Sequence, residues 1–332
     1  MLDIPRRKDL ANPKMSGTKN PRISVVLASF NGINIKYIGE QLDSIRTQTK
    51  APDEVIISDD CSEDGTYDFC REYISSHNLK GWHVFRNSRN LGAGGNFRLA
   101  LTYATGDYIF TCDQDDIWMP GKISAMTSAM NDNPGIMLLV SNYIPVRNGT
   151  RINAHVKNLG RDDGEIIPMR LRDYWLNNHR PGCTFCFRRE LASMFEVMDI
   201  PGRLHDSMLW KYAIVRDSLY LMNRQLVIYR RQEGSTTNQF SRKTPGITQR
   251  LDGIDEEISM YQKFLEASVE LGTTPENQRL IMKRLAFLGR RKKYLSGRNI
   301  LMVAFFVMMN LKYYPTVRNA LSDIYAVIFL KE

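Results

Sequence analysis

Ile23-Ser24-Val25-Val26-Leu27-Ala28-Ser29-Phe30 is the first apolar run in the chain, and the pattern that follows it decides the fold. An amphipathic stretch over Ile33–Arg46 comes next. It is followed by a strand-like run Glu54–Ser58, a helical stretch Thr66–Ser76, a run Trp82–Arg86, a helical stretch Ala93–Ala104 and a run Tyr108–Cys112. Strand and helix periods alternate, the β-α-β-α-β-α-β order of a sheet built on parallel strands with helices on its faces. In such sheets ligands bind beyond the carboxyl ends of the strands, so the residues just after each strand are the candidate site residues.

Further along, the spacing predicts a helix from Pro120 to about Asn131, a strand Ile136–Pro145, a polar loop over 147–165 and a helix Met169–Asn177. A short strand Cys183–Phe187, a helix Arg189–Met198, a helix opening at His205-Asp206 and a last strand Leu219–Tyr229 complete an α/β domain over 23–240. Residues 241–332 read as helical. Ile247, Leu251, Ile254, Ile258, Tyr261 and Leu265 recur every three or four residues, and a second helix opens at Pro275 with Thr274 as its cap. Residues 1–22, polar and carrying Pro5, Pro13 and Pro21, read as a flexible tail.

The 332 residues, 43% apolar and 24% charged, exclude wholesale disorder and a multi-span membrane protein. A net charge of +9 is concentrated in the first 22 residues and in Arg290-Arg291-Lys292-Lys293. That is not a stripe along one element, so nucleic acid is not an expected partner. Five cysteines at irregular spacing and no apolar leader point to a reduced, cytoplasmic protein. Cys183-Thr184-Phe185-Cys186 lacks a second pair and is assigned to the core, and Asn148-Gly149-Thr150 to a turn.

The strongest chemical signal is Asp113-Gln114-Asp115-Asp116, three carboxylates in four residues at the end of an apolar strand. Carboxylates so crowded need a cation, and oxygen-only ligands suit Mn²⁺ or Mg²⁺ on substrate phosphates. Asp59-Asp60 ends the strand Glu54–Ser58 in the same way, although Asp64 or Thr66 could simply cap the next helix. Asn90-Leu91-Gly92-Ala93-Gly94-Gly95-Asn96-Phe97 opens a helix after the third strand. Its spacing is neither GxGxxG nor a Walker loop, so NAD and P-loop readings fail. Asp206, beside His205, is read either as a helix cap or as a functional carboxylate.

In order and spacing, Ser24–Gly32, Gln41–Thr49, Glu54–Asp60, the Asn90–Phe97 loop and Asp113–Trp118 resemble the family 2 (GT-A) glycosyltransferases. Asp113-Gln114-Asp115-Asp116-Ile117-Trp118, His205-Asp206 and Tyr229-Arg230-Arg231-Gln232 resemble the bacterial rhamnosyltransferase-like branch. The resemblance, over about 22–235, implies a Rossmann-like nucleotide-binding α/β fold, a mixed sheet flanked by helices, and the C-terminal helical extension lies outside it. It implies inverting transfer from dTDP-rhamnose or a UDP-sugar. By the same carry-over Ala28, Phe30 and Asn31 lie near the nucleotide, Asp59 pairs with the base, and Asn90, Gly94 and Gln114 line the donor. Asp113 and Asp115 form the metal-binding DXD pair, and Asp206 is the base. Asp116, Trp118, Gly182, Cys183, His205, Tyr229 and Arg230 are donor-loop or acceptor-side candidates.

Transfer needs a cation to neutralise the departing diphosphate and a base for the attacking hydroxyl, and these residue types supply both. The QxxRW signature of processive synthases is absent, which favours transfer of a single sugar. Two other readings share the topology. A sugar-nucleotide nucleotidyltransferase would carry a Gly-rich basic loop where Ala28–Gly32 stands, and an inactive nucleotide-sugar-binding module would not need Asp115 and Asp206.

The ten-residue apolar run Ile300–Met309 and the segment Leu321–Leu330 are too short to span a bilayer, which takes ~20 residues. Set beside Arg290–Lys293, they predict a peripheral anchor on the anionic inner face of the plasma membrane, with a hairpin packed on the core as the competing expectation. The resemblance implies a lipid-linked saccharide as the acceptor.

Overall fold

The structure, a computed structural model, describes residues 20–34, 37–154, 156–200, 202–231 and 246–330. The expected tail over 1–22, the boundary at 240 and Gln232 lie wholly or mainly outside these. Among the described residues the elements follow in this order: β1 (Ile23–Ser29), α1 (Ile38–Arg46), β2 (Glu54–Asp59), α2 (Thr66–Ser76), β3 (Trp82–Arg86), α3 (Gly92–Leu101), β4 (Tyr108–Asp113) and β5 (Ile117–Trp118). Then come α4 (Lys122–Asp132), β6 (Leu138–Arg147), β7 (Thr150–Arg151), β8 (Ile166–Pro168), α5 (Leu171–Tyr174), β9 (Phe185–Arg188), α6 (Arg189–Ala192), α7 (Met194–Val197) and α8 (His205–Val215). Last are β10 (Leu219–Arg230), α9 (Ile247–Glu266), α10 (Pro275–Ser296), α11 (Ile300–Asn310) and α12 (Val317–Phe329).

One mixed sheet runs β3-β2-β1-β4-β9-β6-β10-β5, with β7 beside β6 and β8 beside β10. β3, β2, β1 and β4 are parallel, as the alternation requires, and β9 enters antiparallel between β4 and β6. Central strands β1 and β2 are covered on both faces, which is why they read as unbroken apolar runs. The register sets Ala28 beside Asp113 on one side and Ser58 on the other, and Ser29 beside Asp59. The carboxyl ends of β1, β2 and β4 therefore bring the Asp59 and Asp113 segments to one edge.

The described residues divide into two compact units, one within 1–168, 177–213 and 218–232 and the other within 169–176, 214–217 and 233–332. In the second, Thr274 caps α10 as its position before Pro275 predicts, its hydroxyl accepting from Asn277 N at 3.3 Å. Of the six residues expected along the inner stripe of α9, Leu251, Ile258 and Leu265 are half-buried. Ile247, Ile254, Tyr261 and Phe264 are buried while Leu265 is half-buried, because Phe264, three residues after Tyr261, takes the inward place.

Other local departures have identifiable causes. The helix expected from Ile33 begins at Ile38, since the amides of Gly32, Ile33 and Asn34 donate to Thr66 Oγ1 and Asp64 Oδ2 instead of turning into a helix. The helix expected over Met169–Asn177 is one turn, ended at Trp175 with φ 51°. Arg189–Met198 breaks into two turns at Ser193. Asn148-Gly149 is the turn of the β6–β7 hairpin, both residues at positive φ.

Candidate active site

All the residues of this site belong to the first unit. At the end of β4 the side chains of Asp113 and Asp116 converge with Cys183, one ligand-capable atom from each lying within 4.8 Å of the others. Asp116 is fully buried. Its Oδ1 accepts from Arg230 N at 3.0 Å, its Oδ2 meets no well-formed hydrogen bond among the described residues, and the neighbouring Cys183 thiol eases the carboxylate's charge. Burial pushes the Asp113 carboxyl up to about 7, with the charges of Asp115 and then Asp206 adding to the shift. Burial, then the charges of Asp115 and Asp113, hold Asp116 well above the usual carboxylate range.

A buried orphan oxygen among mutually repelling carboxylates is what a divalent cation would relieve, so the donor set fits Mn²⁺ or Mg²⁺. Burial also raises the Cys183 thiol, which keeps it protonated and leaves the hard carboxylate oxygens as the ligands offered. Asp115, half-buried, shares the loop.

Sequence reasoning overlooked Lys122. It is fully buried beneath the cluster, donates to Cys183 O and lies 3.8 Å from the Trp118 ring centroid. Burial lowers it to about 8. Its signal was its place on the inward face of α4 with Met126 and Met130, where an apolar residue is the norm.

Across from β4, Gly182 opens a tight turn before β9, and Thr111 Oγ1 donates to its carbonyl at 2.7 Å. A Cβ at Gly182 would stand 3.0 Å from Asp206 Cβ and 3.2 Å from His205 Nε2. The missing side chain is what lets the start of α8 approach. Asp206 Oδ1 accepts from Ser207 N at 2.6 Å, so it does serve the helix start, and its charge still reaches Asp113. His205 is buried against Phe97 of α3, ring centroids 3.7 Å apart, with neither ring nitrogen hydrogen-bonded among the described residues. Burial lowers it to about 4, so it is neutral at pH 7.

Two predictions follow from these contacts. Gly182→Ala should lower kcat by up to about tenfold, since the added Cβ would displace Asp206 by a few tenths of an ångström, a fraction of the ångström-scale misplacement that costs about 10²-fold. An unchanged kcat would show that the close approach is unimportant. The second concerns pH. Asp113 holds its proton up to about 7 in the fold and up to 3.8 ordinarily, so the folded chain binds the extra proton between those values. Its stabilising share is complete below the unfolded value and is lost as pH rises through the folded one. Metal-free protein should therefore melt lower near pH 8 than near pH 5, and Asp113→Asn should shrink that difference. A difference that Asp113→Asn leaves intact would remove Asp113 as its cause.

Around this centre the loop ends are tied together. Gln114 exchanges two 2.9 Å bonds with the Phe30 backbone, while Phe30 itself is exposed. Asn31 N donates to Ser62 Oγ, and Asn31 Oδ1 accepts from Glu63 N. Asp59 is buried and already accepts from Ser62 N at 2.9 Å and Ser62 Oγ at 2.5 Å, with Arg86 Nε at 3.8 Å. Asp60 Oδ1 accepts from Asn87 Nδ2 and Leu91 N, anchoring the loop that carries Asn90. Gly94 faces the Arg203 carbonyl, 3.3 Å from where its Cβ would be. Arg230 spans the opposite side, donating to Asp115 O at 3.0 Å and to Glu40 Oε2, with the Tyr37 ring 4.1 Å away. Tyr229 stands edge-on to Tyr143, 5.2 Å between centroids, and is part of that wall, whereas Trp118 is buried beneath it.

The model of the family described as glycosyl transferase family 2 matches residues 24–196. Among known proteins the chain is similar to dTDP-rhamnosyl transferase RfbG of Shigella flexneri, 29% identical over 220 residues, 63% of this chain and 72% of that one. It is also 31% identical over 134 residues, 40% of this chain and 50% of the relative, to the UDP-Glc:alpha-D-GlcNAc-diphosphoundecaprenol beta-1,3-glucosyltransferase WfgD of Escherichia coli. Residues 1–349 of S. aureus TarS, solved in complex with UDP-GlcNAc, align with a TM-score of 0.59 at 16% identity over 92% of this chain and 90% of that one. At that identity the likeness establishes the GT-A fold alone.

Proposed function

Because this chain belongs to glycosyl transferase family 2, we propose that it is an inverting, metal-dependent transferase that moves one sugar from a nucleotide-diphosphate sugar to a saccharide hydroxyl. The observation that carries the reading is the convergence of Asp113 and Asp116, with Asp206 in electrostatic reach, at the carboxyl edge of β4 beside Gly182. Residues 23–240 form the transfer domain and 241–332 the membrane-associating region.

Asp113 and Asp115, with Asp116 behind them, would hold Mn²⁺ or Mg²⁺. Bound there, the ion supplies Lewis-acid neutralisation of charge on the diphosphate leaving group. The chain's own residues do the rest. Ala28, Phe30, Asn31 and Asp59 border the nucleotide, and Gln114 locks the Phe30 backbone to the acidic loop. Asn90 and Gly94 border the donor from α3, and Arg230 fixes the Asp115 backbone. Asp206 takes the proton of the attacking hydroxyl. His205, buried and neutral, does not compete for it and keeps α8 packed on α3.

The name of the Shigella relative supports dTDP-rhamnose as a donor, and those of WfgD and TarS support a UDP-sugar. The diphosphoundecaprenol in the WfgD name supports a lipid-linked acceptor and work at an anionic membrane surface, in surface-polysaccharide assembly. Direct displacement by one hydroxyl inverts the anomeric centre. Proton NMR of the product should show the configuration opposite to the donor's, and retention would rule out a single displacement.

A further inference from the structure

Helix α11 is apolar all round, a composition that ordinarily means burial on every side. Its inner face is covered: Val303, Phe306 and Val307 are buried, and the Phe306 ring stacks on Phe287 and Tyr294 of α10. Its outer face is bare. Leu301 is 79% exposed and Met309 67%, with Phe305 and Met308 between them. The neighbouring α12 repeats the arrangement, burying Ala320 and Ala326 while Leu321 and Phe329 stand out.

The charge around this face is one-sided. Residues 290–330 hold seven Lys and Arg and one acid, Asp323. That acid is buried and held by Arg250, Arg291 and Tyr314. Lys292 pairs with Asp255. The basic run expected at Arg290–Lys293 is thus half engaged within the unit, but Arg290, Lys293, Lys312 and Arg318 remain exposed. Among the described residues no helix is long and apolar enough to cross a membrane, and α11, with 11 residues, is only ~16 Å long.

We propose that the outer face of α11 and α12 is a docking surface for an anionic lipid bilayer, lying in the interfacial plane. Apolar side chains enter the acyl boundary and the exposed cations meet headgroups. A second copy of the chain is the poorer occupant, because a two-fold pairing would set this cation excess against itself. The proposal deepens the transferase reading, on which its purpose rests, but its measurement is independent of turnover.

The test uses the full chain and point substitutions, since a chain ending near Thr274 would lose α10, which packs on α9. Wild type should sediment with phosphatidylglycerol–phosphatidylcholine vesicles at low salt and only weakly with phosphatidylcholine alone. Phe305→Glu/Met309→Glu should weaken that binding at least about tenfold with an unchanged melting temperature, as both sites are exposed. Arg290→Gln/Lys293→Gln should weaken it at low salt and leave what binding remains less salt-sensitive. Wild type left in the supernatant, or equal binding by the glutamate variant, overturns the proposal. So does a dimer in vesicle-free buffer that the glutamate variant dissociates. Nucleotide-sugar turnover without vesicles should be alike in wild type and both variants, so a failed transferase reading shows separately.

Discussion

Asp206→Asn is expected to bind donor as wild type does and to lose roughly 10²–10⁴-fold in kcat, the usual contribution of a positioned base. The amide keeps the shape of the carboxylate, so it can still accept from Ser207 N and sit against Gly182. What it loses is the ability to take a proton. No neighbour replaces it: burial holds His205 neutral and poorly basic, and Lys211, one turn on, donates to Ser207. Should the variant melt earlier while turning over at the wild-type rate, Asp206 would be a helix-start residue and nothing more.

Asp113→Asn should lose both metal and donor. Asp113 is the residue common to the DXD pair and to the convergent Asp113–Asp116–Cys183 group. Its amide cannot compensate the ion's charge. Loss of Lewis-acid assistance amounts to several kcal/mol, on the order of 10²–10³-fold in rate. Titration of nucleotide diphosphate with and without Mn²⁺ checks this: wild type should bind more tightly with the metal and the variant should not respond to it. A metal response preserved in the variant would move the site elsewhere.

The parallel half of the sheet was legible because β1, β2 and β4 are buried on both faces and the helices between them on one, so the period changes at each boundary. Both acidic clusters were legible for the same reason, since apolar strands end in them. The antiparallel entry of β9 between β4 and β6 was not, because a four-residue buried strand carries no direction in its composition. Nor was two-residue β5, hidden inside the Asp113–Trp118 run. In the site, the resemblance gives Asp59 a place beside the base, but the turn that sets its oxygens against Ser62 is a tertiary one that no period announces. Lys122 was readable only as an exception on an apolar helix face, and exceptions need the partner, here Cys183 O and the Trp118 ring, before they have a meaning.

The most direct test is release of nucleoside diphosphate from a panel including dTDP-rhamnose and UDP-sugars, with a saccharide acceptor, in Mn²⁺ or Mg²⁺ and again after chelation. At least one donor should be consumed with metal, with release abolished by chelation and restored on adding the ion back. Release that is undiminished in metal-free buffer, or no binding of any donor with metal present, would contradict the assignment of Asp113–Asp116 and Asp206 as a metal-dependent sugar-transfer site.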